Sequence, residues 1–407
     1  MSVTLFVNAA QIATGETADE RSVHAGAALA VEAGVVRALG AADILAAQFE
    51  RATRVDCGGG VLTPGFVDSH THAVFGGWRA AEYALRSRGV PYMEIARRGG
   101  GINASVRDIR ALSEDDLLER SRARLATLLD HGTTTVEIKS GYGLELDAEL
   151  KQLRVAQALA REGPLDVEVT FLGAHEFPPE YRDHHDAYVE LLVDVMIPEV
   201  ARRQLARFCD VFCEPGVFTP AQTRRILEAG REHGLLPKLH ADELENSGGA
   251  ELAAALGAVS ADHLGAITDD GIAALAASDT VATLLPTTLL FLGKRAYAPA
   301  RALLDAGARV ALATDFNPGS SPTPSMPLVL TVACSQMGMD PYEALHAATA
   351  GGARALRLDD GRGTLAVGAP ADVLLWQLGD VRELPYRFGA PPLAGVWKRG
   401  ARVRPSL

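Results

Sequence analysis

The sequence predicts an α/β fold, a (β/α)8 TIM-type barrel with a small composite β domain built from both termini. Three observations predict it. From Val61 onward, short β-like runs alternate with helical stretches rich in Ala, Leu, Arg and Glu. The runs number eight, the count of a closed parallel barrel of β/α units. Both ends of the chain read as β without intervening helix, so they can form one domain beside the barrel.

The first sixty residues are expected to be all-β. Thr4–Ala9 is a short apolar strand, and Ala28–Val31 and Val35–Leu39 flank Glu32-Ala33-Gly34, a turn whose glycine accepts a positive φ. The barrel strands are then placed at Val61–Val67, Thr133–Lys139, Val167–Gly173, Phe208–Cys213, Pro237–Ala241, Val259–Asp262, Thr280–Leu285 and Arg309–Ala313. About 65 residues separate the first two, an insertion of the kind in which barrels build specificity. A helix over Pro341–Leu358 follows, and the chain turns β-like again through Gly363–Trp376. The expected division is 1–60 and 361–407 for the β domain and 61–360 for the barrel. A doubly wound sheet would also alternate; the count of eight and the β ends favour the barrel.

With 407 residues, 39 Lys+Arg and 51 Asp+Glu, the formal net charge is −12. That balance argues against a nucleic-acid or anionic-membrane surface, which would need a basic face. Apolar residues at 48% and charged residues at 22% are the mix of a globular chain, not a disordered one. Cys57, Cys209, Cys213 and Cys334 are too few for a disulfide scaffold. The start has no basic segment leading into an apolar core, and no run is long enough to span a bilayer. A cytoplasmic protein is expected.

The sharpest local signal is Pro64-Gly-Phe-Val-Asp68-Ser-His70-Thr-His72. An apolar strand delivers two histidines at i and i+2, whose side chains leave one face of an extended chain. At the C-terminal mouth of a barrel both imidazoles can converge on one metal ion. Eleven histidines make a chance H-x-H common enough that this context has to carry the reading. Other strand ends supply it. His175-Glu176 ends the third strand, Lys238-Leu-His240-Ala-Asp242-Glu243 the fifth, Asp262-His263 the sixth, and Asp315-Phe-Asn317-Pro-Gly319-Ser320 the eighth. Taken singly, His263 fits a core histidine and Asp315 a helix cap. Five polar strand ends on one rim fit a site.

These segments resemble the amidohydrolase superfamily and, within it, the imidazolonepropionases of histidine degradation, over essentially the whole chain. H-x-H and the strand-eight Asp315 carry the superfamily resemblance. Beyond H-x-H, the matching segments are Phe75-Gly-Gly-Trp-Arg79, Tyr92-Met-Glu-Ile-Ala, Gly99-Gly-Gly-Ile-Asn-Ala, Glu137-Ile-Lys-Ser-Gly-Tyr142-Gly-Leu, Leu172-Gly-Ala-His175-Glu, His240-Ala-Asp-Glu243 and Thr314-Asp315-Phe-Asn317-Pro-Gly319. The narrower resemblance rests on the Arg79 segment, Lys139-Ser-Gly-Tyr142-Gly-Leu and Leu172-Gly-Ala-His175-Glu. The resemblance implies a metal-dependent hydrolase with His70, His72, His240 and Asp315 as ligands of one Zn²⁺ or Fe ion per subunit. It implies that Arg79, Tyr142, His175, Glu243, His263, Asn317, Gly319 and Ser320 surround the substrate. The implied reaction is hydrolysis of the ring amide of 4-imidazolone-5-propanoate to N-formimidoyl-L-glutamate. A homodimer is implied as well.

Residue chemistry is consistent with those roles. Three imidazoles and a carboxylate suit zinc or iron, with a position left for water. Asp315 is suited to take the nucleophile's proton, and His263 is the alternative base or a partner of the developing oxyanion. Glu243 can serve the ring and its leaving nitrogen. Arg79 offers a planar fork for the propionate. No lysine ends the fourth strand, where a carboxylated lysine would bridge two metals; Lys139 ends the second, so one metal is expected. Cys209 and Cys213 read as core thiols, and His184-His185 as solvated surface. His24, His131, His233 and His346 read as structural, the middle two before helix-ending glycines. Gly99–Gly101 lacks the surroundings of a phosphate loop and reads as a lid. Glu214 receives no role. The rival readings are another amidohydrolase activity, such as formimidoylglutamate deiminase or guanine deaminase, and a metal-free scaffold.

Overall fold

The computed structural model describes residues 3–90, 94, 99–388 and 391–404. Of the segment Tyr92–Ala96, only Glu94 is among them; the rest lie outside the described residues.

Eight parallel strands form the central sheet: Phe66–Asp68, Thr133–Lys139, Asp166–Ala174, Phe208–Cys213, Leu236–Ala241, Ser260–His263, Val281–Leu284 and Val310–Leu312. Each pairs with the next in sequence order. The ring closes beyond the last strand, where the Asp315 N–H donates to the His70 carbonyl at 3.0 Å and the His72 N–H to the Phe316 carbonyl at 2.9 Å. The contacts that close the barrel therefore also set His70-Thr-His72 beside Asp315. Asp68 reinforces the seam, accepting the Thr314 N–H at 3.0 Å and its hydroxyl at 2.6 Å.

The expected first strand is in fact two. Val61–Pro64 pairs antiparallel with Val373–Trp376, while Phe66–Asp68 alone enters the barrel. Gly65 separates them because a Cβ there would overlap the Thr134 side chain. Only glycine lets the chain pass so close to the second strand.

A six-stranded sheet runs in the order 401–404, 393–398, 373–376, 61–64, 11–13, 23–25, and a four-stranded sheet in the order 35–41, 27–32, 4–7, 53–56. Both ends of the chain thus share one sheet. Phe6, Leu29, Leu62, Val373 and Trp397 fill the space between the two sheets, with Phe6 edge-on to Trp397 at 5.0 Å. The turn at Ala33-Gly34 has φ of 54° and 82°, as its glycine suggested. Two elements of the N-terminal region depart from the all-β expectation: a 3₁₀ turn at Glu20–Ser22 and the α-helix Ala42–Gln48. Its Ala/Leu composition is helix-favouring, and the β-rich neighbourhood obscured it.

The long helices follow their caps. Ser113 accepts the Asp116 N–H at 3.1 Å and opens Glu114–Asp130, whose first turn holds three acidic residues. Thr219 and Gln222 form a capping box with Pro220 at the first helical position of Pro220–Glu232. His131 and His233 are the C-caps of these two helices, followed by Gly132 and Gly234 at φ of 91° and 83°. The expected Pro341–Leu358 helix is interrupted by a π-helical turn at Ala347–Gly351 and ends at Arg354. Among the described residues, no helix is long and apolar enough to cross a membrane.

Candidate active site

The H-x-H segment leaves the first barrel strand with both imidazoles on one face. The His70 and His72 ring centroids are 5.4 Å apart, and His240 lies 4.6 Å from His70. Asp315 Oδ1 is 3.6 Å from Nε2 of both His70 and His72. Donor atoms of His70, His72 and Asp315 fall within 4.8 Å of one another, as do those of His70, His240 and His263 and of His72, His175 and His240. The backbone is bent to achieve this. Asp242, His263, Leu264 and Asp315 have φ of 49°, 80°, 62° and 52°, conformations that ordinary residues avoid and that cluster at functional sites.

The imidazoles are aimed by carboxylates behind them. His70 Nδ1 lies 2.7 Å from Asp262 Oδ2, and His240 Nδ1 lies 3.0 Å from Asp210 Oδ1. A neutral ring facing a carboxylate carries its proton on that nitrogen, so both Nε2 lone pairs face the centre. There, His70 Nε2 and His240 Nε2 are buried with no hydrogen-bond partner among the described residues. Burial, then the surrounding cations and imidazoles, holds His70, His72 and His240 well below the ordinary histidine pKa. Neutral imidazoles with orphaned, converging lone pairs and a carboxylate alongside fit a bound metal ion, which takes that form of the ring.

A cavity of about 510 Å³ opens onto this cluster. His72, His240 and Asp315 line it together with Arg79, Tyr142, His175, Glu243, His263, Asn317, Gly319 and Ser320; His70 sits behind His72 and is fully buried. All the sequence-predicted site residues are thus brought together. Arg79 stands at the start of the Ala80–Ser87 helix, inside the long first insertion, with Nε 3.4 Å from Glu82. Its guanidinium packs close against Gly319, where any Cβ would overlap it. His175 stacks on His72 at 5.0 Å and holds Gly141 through its Nδ1 at 3.0 Å. Asn317 borders the cavity, but its side chain shapes the loop. Its oxygen accepts the Gly319 and Ser320 N–H groups at 2.8 Å, and its amide donates to the Asp315 carbonyl at 2.6 Å.

Tyr142 is buried, on a loop held by the helix Leu146–Glu162. Glu149 accepts the N–H groups of Gly141, Gly143 and Leu144 at 3.1, 2.7 and 2.9 Å, and Gln152 accepts that of Tyr142 at 3.0 Å. Removing the carboxylate leaves three buried donors unpaired. We expect Glu149→Ala to destabilise the fold by roughly 3 kcal/mol, at one to three for each unsatisfied group after relaxation. Urea melts check this; an unchanged midpoint would mean that the loop does not depend on Glu149.

The acids of the cavity are shifted in a useful direction. Burial pushes Asp315 up to about 7, against hydrogen bonds from Thr288 and Asn317 that lower it. Burial, then Asp315 and Glu214, pushes Glu243 up to about 8. His263, 3.7 Å from Glu243, is held down at about 4, chiefly by burial. Burial thus favours the neutral form of both carboxyls.

Several contributors had no role assigned from the sequence. Glu214 accepts the N–H groups of Glu243, Leu244 and Glu245 at 3.1, 3.1 and 2.7 Å, and so fixes the segment that carries Glu243. Asp210 and Asp262 aim two of the histidines. The signal was present as single charges inside otherwise apolar strands, Asp210 in Phe-Cys-Asp-Val-Phe-Cys and Lys238 in Leu-Pro-Lys-Leu-His-Ala. Such residues are buried only if they meet one another. Cys209 and Cys213 are buried free thiols, as expected, and His184 and His185 are exposed. Gly99 and Gly101 have φ of 84° and 72° and lead into the Ile102–Ala111 helix, with Ile102 at the cavity wall.

An eight-stranded β/α barrel whose rim gathers three histidines and an aspartate at a cavity has the build of a metal-dependent hydrolase. The sequence matches the amidohydrolase family over residues 61–404. Among curated relatives, the imidazolonepropionase of Geobacillus thermodenitrificans (strain NG80-2) is 48% identical, the alignment covering 98% of this chain and 95% of that protein. That of Symbiobacterium thermophilum is 48% identical, with 98% and 96% covered. The chain belongs to the imidazolonepropionase family of amidohydrolases. Solved structures agree on the fold. An adenosine deaminase from Xanthomonas campestris with bound zinc superposes with a TM-score of 0.72 at 22% identity, covering 98% of this chain and 92% of that one. A 5-methylcytosine deaminase from Klebsiella pneumoniae gives a TM-score of 0.75 at 19% identity, with 98% and 97% covered.

Proposed function

We propose that this chain hydrolyses the ring C–N amide bond of 4-imidazolone-5-propanoate to N-formimidoyl-L-glutamate, a step of L-histidine degradation. The carrying observation is the shared cavity. Arg79 lies against Gly319 in the same space as His72, His240 and Asp315, so one small anion can meet a guanidinium and the reacting centre together. Relatives of that name at 48% identity over nearly the full chain support the same substrate.

His70, His72, His240 and Asp315 would hold one Zn²⁺ or Fe ion. Such an ion, when bound, brings the pKa of water from 15.7 to about 7 and polarises a carbonyl oxygen. The remaining roles belong to the chain. Arg79 pairs its planar fork with the propionate carboxylate, and the loop of Gly319 and Ser320 supports it. Tyr142 and His175 bound the ring on the side of the second and third strands. Asp315, a carboxylate lining the cavity, accepts the proton of the attacking water. His263 supports the oxyanion that forms on the ring carbonyl, and is the alternative acceptor. Glu243, whose burial favours the protonated carboxyl, donates to the ring nitrogen as the C–N bond breaks, so the carbonyl carbon leaves as a carboxylate and the nitrogen as the imino group.

The test is turnover by the purified chain. Loss of the ultraviolet absorbance of imidazolonepropionate is expected, with formimidoylglutamate and guanine left intact. Consumption of either of those compounds while imidazolonepropionate persists would replace this reading with a deiminase or deaminase.

A further inference from the structure

Behind the three imidazoles lies a cluster of charges that the reaction itself does not use. Lys139, fully buried at the end of the second barrel strand, places Nζ 2.7 Å from Asp210 Oδ2, 3.0 Å from Glu137 Oε2 and 3.4 Å from Asp262 Oδ2. Lys238, buried on the fifth strand, takes the same Glu137 oxygen at 2.9 Å and the Ser69 carbonyl at 3.2 Å. Three carboxylates and two ammonium groups thus occupy the barrel interior with no access to water.

Such a cluster is not explained by stability. Removing each ion from water costs several kcal/mol even after relaxation, and apolar side chains of similar volume usually serve a core at least as well. What distinguishes this one is where its carboxylates point. Asp210 meets Lys139 with one oxygen and the His240 Nδ1 with the other. Asp262 Oδ2 faces Lys139 and the His70 Nδ1 at once. A single ammonium group therefore joins the two carboxylates that aim two different histidines, from the second strand to the fourth and sixth.

We propose that Lys139 is a positioning residue for the metal site, resting on the ligand assignment above. Its charge lets two anions sit close together in a dry interior, and each anion fixes the tautomer and direction of one imidazole. Without it the two carboxylates repel each other at short range and turn away from the rings they orient. With Asp315 added, the cluster carries a net charge of minus two, matching a divalent ion.

The experiment is metal affinity, read apart from catalysis. Apo protein is titrated with Zn²⁺ against a chelating dye, and with Co²⁺ to record the ligand-field spectrum. Lys139→Met keeps length and apolar volume and removes the charge. We expect metal affinity to fall 10- to 100-fold, the effect of losing an outer partner of a ligating histidine, with a changed Co²⁺ spectrum and intact far-ultraviolet circular dichroism. Asp262→Asn, nearly isosteric, is expected to lower affinity as well. Adding Lys139→Met to it should then cost less than in the wild type, because the two act through one path. Wild-type affinity and spectrum in Lys139→Met, with only a lowered thermal midpoint, would overturn the proposal. Should that variant not fold, unchanged affinity in Asp262→Asn would overturn it equally. Failure of the wild-type chain to bind metal would instead sink the ligand assignment, a result separable from either.

Discussion

Asp315→Asn is expected to fold like the wild type and to lose turnover by about 10³-fold, within the range for removal of a positioned general base. The fold survives because the substitution is nearly isosteric and its retained oxygen can keep the 2.6 Å hydrogen bond from Thr288. The backbone N–H of residue 315 still closes the barrel onto the His70 carbonyl. Only the capacity to take a proton disappears, together with one anionic donor 3.6 Å from two histidines. Steady-state kinetics at matched metal content, set against a thermal melt, separates these effects. More than a tenth of wild-type kcat would assign the proton to His263 instead.

Arg79→Met is expected to lower kcat/KM for imidazolonepropionate by roughly 10²- to 10³-fold, as two charge-assisted hydrogen bonds to the propionate are lost at about 1.5–3 kcal/mol each before compensation. The loss should appear mainly in KM, because the guanidinium holds a part of the substrate remote from the bond that breaks. Gly319 supplies an internal control. A methyl group at residue 319 would overlap the Arg79 guanidinium, so Gly319→Ala should act in the same direction by displacing it. In the Arg79→Met background the Gly319→Ala effect should shrink, since both changes remove one interaction. Additive effects would separate Gly319 from Arg79, and an unchanged KM in Arg79→Met would remove Arg79 from substrate recognition.

The sequence made the barrel and its rim legible because both rest on local pattern. Thr133–Lys139 and Phe208–Cys213 are strands with the bounds read from the sequence, and the other expected barrel strands except the first differ by one or two residues at their ends. The first run misled because its division depends on a distant contact: nothing in Val61–Val67 shows that Gly65 must pass the Thr134 side chain. Likewise, His70 and Asp315 sit on residues whose types suggest ligation, whereas Glu214, Glu149 and Asp210 work through hydrogen bonds to residues far along the chain or to backbone N–H groups. Those partners exist only after folding. Asn317 shows the converse case, a residue rightly placed at the cavity whose side chain is committed to its own loop. The net charge of −12 says little about a cavity that carries its own guanidinium, that of Arg79.

The central claim is that the histidine and aspartate cluster holds one ion and that this ion is needed to open the imidazolone ring. Elemental analysis and the imidazolonepropionate assay on a single preparation test it most directly. About one Zn or Fe per chain is predicted, with activity lost after chelation and restored in proportion to the metal returned. Full turnover by protein carrying no stoichiometric metal would contradict it.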